Sequence, residues 1–270
     1  MPHGDKAFLG TIPEVYDSYL VPLIFESYAE DLAARVSADQ PTKILEIAAG
    51  SGVVARALAP RLAPGTDYMV TDLNEPMLEQ AAKRQPNGGS ISYRVADALE
   101  LPFADGTFDT VLCQFAAMFF PDRVRGYSEA RRTLKPGGQF IFNVWDKLEA
   151  NQFPFEVERA LETVFPSDPP RFMSRMPYSY FDPEQIRREL AVAGFSEISI
   201  EPREDTSTAP NARYAATAFC KGTPLLNEIN IRDPFLLDRC VSTAARAIAE
   251  RFGAGEVSGD IRGFVITATA

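Results

Sequence analysis

Three acidic residues, Glu46, Asp72 and Asp97, stand at the ends of short apolar or alternating runs, and two glycines follow the first of them in "LEIAAGSG" (45–52). A strand that breaks at Gly50 and Gly52 and resumes as a small-residue helix brings backbone N–H groups to its carboxyl edge. The positive end of the helix arrives at the same place. The bland alternative is a tight strand-to-helix turn with no ligand. The single histidine, His3, sits near the start of the chain. The commonest proton-transfer group is therefore nearly excluded, and so is a His-rich metal site. Cys113, Cys220 and Cys240 are widely spread and form no CxxC, so neither a disulfide framework nor a zinc site is suggested, and no metal is expected.

The elements that must hold these residues alternate regularly. "KILEIA" (43–48), "TDYMVTD" (66–72), "SISYRVA" (90–96), "FDTVLCQ" (108–114) and "QFIFNVW" (139–145) read as strands, most too apolar to face water on either side. That is the look of a parallel sheet covered on both faces. Residues 52–62, 74–84 and 122–134 read as helices, the second with Asn74 placed to cap and Pro76 in its first turn. "KPGG" (135–138) reads as a stop and turn. Alternation of this kind predicts right-handed βαβ units and a doubly wound α/β sheet. Toward the N-terminus, 13–36 reads as two helical pieces broken or kinked at Pro22. Later, 182–194 reads as a helix capped by Asp182 and ended by Gly194. Residues 195–202 and 262–270 read as two more strands, and Asp233–Arg251 as a helix with a stripe of Leu237, Val241, Ala244, Ile248 and Phe252.

Two ligands compete for the glycine loop. Gly50 to Ala55 fits G-x-G-x-x-A, and Asp72 stands twenty residues beyond Gly52, where the ribose-binding acid of a nicotinamide dinucleotide belongs. A pyrophosphate, however, gains nothing from a carboxylate as close as Glu46. S-adenosylmethionine carries an ammonium and a sulfonium, so a nearby acid is tolerated or useful.

At this point the residues resemble a known family. "LEIAAGSG" is similar to motif I of the class I S-adenosylmethionine-dependent methyltransferases. Glu46 supplies its acid, Gly50 and Gly52 its second and third glycines, and Ala48 replaces the first. "YMVTD", "RVADALELPF", "FDTVLCQFAAMFF" and "ARRTLKPGGQFIFNVW" resemble the following motifs in order. The set is most similar to the ubiquinone/menaquinone-biosynthesis type and covers 43–146. The resemblance implies a Rossmann-like seven-stranded sheet with an antiparallel last strand, an N-terminal helical lid (1–36), and cap or substrate segments at 147–181 and 203–261, all in one methyltransferase domain. It implies that Asp72 binds the ribose hydroxyls and that Asp97 and the backbone of Ala98 read the adenine edge. Leu73, Met77 and Gln114 are carried to the same cofactor site. In similar enzymes the N-terminal helix closes over the cofactor, which makes Tyr16, Asp17 and Tyr19, with Gln114, the candidate bases or orienters by position alone.

Several partners can be set aside on chemistry. The formal charge is −10 and no basic run compensates, so a nucleic acid is not expected. No apolar run reaches membrane-spanning length, and the first residues lack the basic front and apolar stretch of a signal peptide, so the expectation is a cytoplasmic protein. After the fourth strand the chain reads "QFAAM", not the (Asp/Asn)-Pro-Pro-(Tyr/Phe) of enzymes that methylate nucleic-acid bases. Asp146 could be one ligand of a catechol-type metal site, but a second is not evident and a solvated loop position is the simpler reading. What remains is methyl transfer to the carbon, oxygen or nitrogen of a small apolar or aromatic molecule, with "MFF", "NQFPF", "RFM" and "YSYF" supplying aromatics. The alternatives are a non-catalytic S-adenosylmethionine binder whose cap segments serve dimerisation (a homodimer) or regulation, and an NAD-dependent oxidoreductase.

Overall fold

Parallel strands need crossovers of a dozen or more residues, and the spacing of the apolar runs supplies them. The computed structural model describes Gly10, residues 12–85 and residues 91–270. His3 and Ser90 lie outside the described residues. Seven strands, β1 (Lys43–Glu46), β2 (Asp67–Asp72), β3 (Ile91–Val95), β4 (Phe108–Gln114), β5 (Leu134–Trp145), β6 (Ser196–Ala209) and β7 (Val257–Thr269), form one sheet in the order β3-β2-β1-β4-β5-β7-β6. The first five are parallel to their neighbours. The strand β7 runs the other way, since Ala270 exchanges hydrogen bonds with Gly137 and Gly138 at the start of β5 while Arg262 O accepts from Asp146 N at its end. The expected doubly wound sheet with an antiparallel last strand is what forms.

Contacts divide the chain into two units. One holds Glu26–Val144, Phe181–Arg203 and Gly263–Ala270; the other holds the N-terminal segment up to Phe25, Trp145–Tyr180 and Glu204–Arg262. In the first, consecutive residues of β1 and β4 are buried, so both faces of these strands are covered. The strand β3 differs, its residues being half-buried or exposed. It is an edge strand, and its polar positions Ser92 and Arg94 meet water.

"KPGG" is not a turn between elements. Residues 135–138 lie within β5 as a bulge, because Leu134 pairs with Phe108 and Gln139 pairs with Thr110. Gly137 takes φ +78°, which glycine reaches without steric cost. A Cβ on Gly138 would come within 2.8 Å of Asp109 O. The bulge places Lys135 on Asp109.

In the other unit, Pro22 does not break the N-terminal segment. The chain runs from an α-turn (Ile12–Val15) through a π-helical stretch (Tyr16–Phe25) to the helix Glu26–Ala38. Pro22, which has no N–H to donate, lies inside this i→i+5 stretch. The region 203–261 holds three main helices, Ala212–Gly222, Leu225–Arg232 and Leu237–Phe252, where the apolar pattern indicated one. Val241, Ala244 and Ile248 of the expected stripe are buried. The two late strands are longer than read, at 14 and 13 residues. Their polar extensions remain paired, with the hydroxyls of Thr208 and Ser258 3.0 Å apart.

Asp109 ties the amino ends of β1, β4 and β5. Its Oδ2 accepts from Thr42 N, Thr42 Oγ1 and Lys43 N at 2.9, 2.7 and 2.9 Å, and its Oδ1 from Lys135 Nζ. Partial burial raises its pKa, but the Lys135 ammonium, the Thr42 hydroxyl and the two amides outweigh this and hold it well below the usual range. A depressed carboxylate stabilises the fold above its unfolded pKa and loses that contribution as pH falls through the folded value. Asp109→Asn should therefore cost about 1–2 kcal/mol in urea unfolding at pH 7, discounted for partial exposure. The gap from wild type should narrow below about pH 4, the unfolded carboxylate value.

Candidate functional site

The strand order reverses between β1 and β4, and the crevice outside the carboxyl ends of such strands is where ligands bind in open α/β sheets. Glu46 closes β1 and Asp72 closes β2, one strand away. Asp97 lies two residues past the end of β3, and Gln114 closes β4. The predicted cofactor residues thus share one edge of one unit. Of the candidate bases, Gln114 lies on this unit. Tyr16, Asp17 and Tyr19 lie on the π-helical stretch of the other unit, where Tyr16 stacks on Phe25 at 5.2 Å and Tyr19 packs on Tyr214 at 4.7 Å.

The loop after β1 is shaped by backbone more than by a helix. Ala48, Gly50 and Gly52 all take left-handed φ, at +52°, +57° and +76°. Ala49 N donates to Thr71 O, and Gly52 N to Ala49 O. A Cβ on Gly52 would sit 2.8 Å from Ala81 Cβ, so the third glycine is needed for close packing on the helix Glu75–Arg84. The helix after the loop is only Val53–Leu58, followed by a 3₁₀ turn at Ala59–Arg61, shorter than the expected 52–62. Its dipole is correspondingly small, and the acids dominate the local electrostatics.

Asp72 holds the loop directly. Its Oδ2 accepts from Gly50 N at 2.8 Å, while Oδ1 accepts from Asn74 N at 2.7 Å and Asn74 Nδ2 at 3.2 Å. Asn74 occupies the cap position of the helix Glu75–Arg84, yet its side chain makes no cap bond; the carboxylate takes it instead. Burial raises the Asp72 pKa, opposed by these amides. Glu46 is more extreme: it is fully buried, Tyr68 Oη donates to its Oε2, and its Oε1 has no hydrogen-bond partner among the described residues. Burial pushes its carboxyl up to about 7, against the pull of the Tyr68 hydroxyl and the Arg56 guanidinium. Sequence reasoning placed Glu46 toward a ligand and missed Tyr68, whose hydroxyl faces it from β2.

Asp97 is exposed and its Oδ1 accepts from Leu99 N at 2.9 Å; Met77 and Ala98 are buried. Leu73, directly after Asp72, is 52% exposed, an apolar side chain left open beside a carboxylate. Asp146 is neither solvated nor a metal ligand candidate of the expected kind. It is buried and paired with Arg262 at 3.1 Å. Among the described residues no cluster of three or more His, Cys, Asp or Glu is placed to hold a metal. Most of the aromatics expected at a pocket are core: Phe153, Phe172, Tyr178 and Tyr180 are buried.

Residues 45–142 match the family described as a methyltransferase domain. The demethylmenaquinone methyltransferase of Thermus thermophilus is 30% identical over 189 residues, covering 66% of this chain and 84% of the relative. The chain belongs to the class I S-adenosylmethionine-dependent methyltransferases. A ubiquinone/menaquinone biosynthesis C-methyltransferase of Bordetella avium is 41% identical over 154 residues, 52% of this chain and 59% of the relative. The fold matches the crystal structure of an S-adenosylmethionine-dependent methyltransferase from Thermotoga maritima, with a TM-score of 0.56, 19% identity and coverage of 100% and 99%. Family membership decides between the two ligands that the glycine loop left open. The enzyme's own residues fit that cofactor: Asp72 closing β2 and Asp97 just past β3 suit hydroxyls and an ammonium, the exposed Leu73 suits a flat apolar ring, and the buried Ser51 Oγ in the loop has no hydrogen-bond partner among the described residues.

Two outcomes follow from the loop. Ala48→Gly removes a left-handed alanine and should raise unfolding stability by about 0.5–1 kcal/mol in denaturant titration. Glu46 has a folded pKa above its unfolded one, so the fold holds the extra proton and loses stability as pH rises from about 4.5 through 7. Glu46→Gln should flatten that slope, the difference from wild type changing by roughly 2–3 kcal/mol between pH 5 and pH 8.

Proposed function

We propose that this methyltransferase acts on a small apolar or aromatic acceptor and that Asp72 is the central cofactor ligand. The observation that carries the reading is the Asp72 carboxylate, which binds the N–H of Gly50 in the loop and that of Asn74 beyond β2 while remaining at the sheet's carboxyl edge. In this reading Asp72 takes the ribose hydroxyls and Leu73 and Met77 flank the adenine. Asp97 and the backbone of Ala98 meet its polar edge, and Gly50 and Gly52 let the loop come close. Ala48 adds a methyl group at the first glycine position without closing the loop. S-adenosylmethionine, when bound, supplies an activated methyl group and a neutral leaving group. The protein's remaining task is to orient the acceptor and exclude water.

Gln114, at the end of β4, is the candidate orienter on the sheet's edge; Tyr16, Asp17 and Tyr19 are candidates from the N-terminal segment. Segments 147–181 and 203–261 are proposed to carry acceptor recognition. The relatives named for demethylmenaquinone and for ubiquinone/menaquinone C-methylation make a quinol-like ring the first acceptor to try, with carbon as the methylated atom.

Calorimetric titration with S-adenosylhomocysteine and, separately, NAD(H) tests the cofactor site. Binding of the first alone is expected, and Asp72→Ala should weaken it by about 1–3 kcal/mol. Unchanged affinity in that variant would remove the Asp72 assignment. A methyl-transfer assay with a short-tailed demethylmenaquinone tests the acceptor, and no turnover there would reject the quinol-like ring.

A further inference from the structure

Just beyond each of the two strands that flank the reversal in strand order stands a non-glycine residue with left-handed φ. Ala48 follows β1, and Phe115, at φ +47°, follows β4. Such strain persists only where the surroundings over-determine it, and it gathers at functional sites. The surroundings of Phe115 can be named. Asn143 on β5 accepts its N–H twice, through Oδ1 at 2.8 Å and through its backbone O at 3.2 Å. Tyr28 packs edge-on against its ring at 4.9 Å and 76°. A Cβ on Gly263 would lie 3.4 Å from that ring and 2.7 Å from Val144 O, so glycine is what leaves the ring its place.

Asn143 is out of character for its strand. From Phe140 to Trp145 every other residue is apolar, and all six are buried, Asn143 completely. Its Nδ2 has no hydrogen-bond partner among the described residues. A buried amide with one unmet donor is a net cost to the fold, and a leucine or valine there would be the cheaper choice. What the amide contributes is direction: its Oδ1 aims the Phe115 N–H into β5 and turns the peptide after Gln114.

We propose that Asn143 is a positioning residue for cofactor binding, holding the strained turn after β4 that forms one wall of the crevice at the strand reversal. The proposal rests on the cofactor reading given above. It acts through Phe115 and needs no contact between Asn143 and a ligand. A purely structural amide would predict that its removal lowers stability and leaves the site's affinity unchanged in the folded protein. The positioning role predicts the opposite pairing.

The test compares S-adenosylhomocysteine affinity, by calorimetry, with melting temperature in the full chain. Asn143→Leu is expected to melt at or above the wild-type temperature and to bind at least tenfold more weakly. Affinity within threefold of wild type would overturn the proposal. If Asn143→Leu does not fold, the substitution is made in a Phe115→Gly background, where glycine adopts the left-handed turn unaided. The double variant is then expected to fold and to bind as Phe115→Gly does; a further tenfold loss, or failure to fold, would overturn the proposal. Wild-type protein that does not bind S-adenosylhomocysteine would instead reject the cofactor reading.

Discussion

Everything at the carboxyl edge of this sheet hangs on the Asp72 carboxylate. One oxygen holds the amide of Gly50 and the other holds Asn74, so one side chain joins the loop after β1 to the turn after β2. The backbone bond from Ala49 to Thr71 reinforces the same junction. Charge-assisted bonds of this kind are shorter and stronger than neutral ones. Here they oppose, without cancelling, the burial that raises the Asp72 pKa. The loop is thus tied to the turn after β2 by one side chain, and the edge is organised by the protein's own bonds.

Glu46 shows how differently an acid of the same motif can be used. It is fully buried, with Tyr68 on one oxygen and, among the described residues, no partner on the other, and burial draws it toward the neutral form. Two acids one strand apart thus meet different surroundings: three amide N–H donors oppose the burial of Asp72, while burial biases Glu46 toward holding its proton. The same division between strain and support appears in the backbone. Left-handed residues stand just past both strands at the reversal: Ala48, whose next residue Ala49 bonds to β2, and Phe115, held by an amide from β5. The opposite edge of the sheet is tied by Asp109, which joins the amino ends of three strands.

The chain's own pattern determined the class of fold, the βα order, the strand ends on which Glu46, Asp72 and Gln114 sit, and the cap and stop of the helix at 182–194. These are local or periodic properties, set by burial on both faces and by backbone chemistry at glycine, proline and capping residues. Asp72 and Gly50 were legible because a short strand and a glycine break leave few ways to place them. Only the tertiary structure decided the rest. It turned "KPGG" into a bulge, where Asp109 on the neighbouring strand captures Lys135; it made Pro22 part of a π-helical stretch; it sent Glu46 inward to Tyr68; and it set Asn143 against Phe115. Each is a contact between residues more than twenty apart, or a pitch imposed by packing, and no pattern along the chain records which buried partner a polar group will meet.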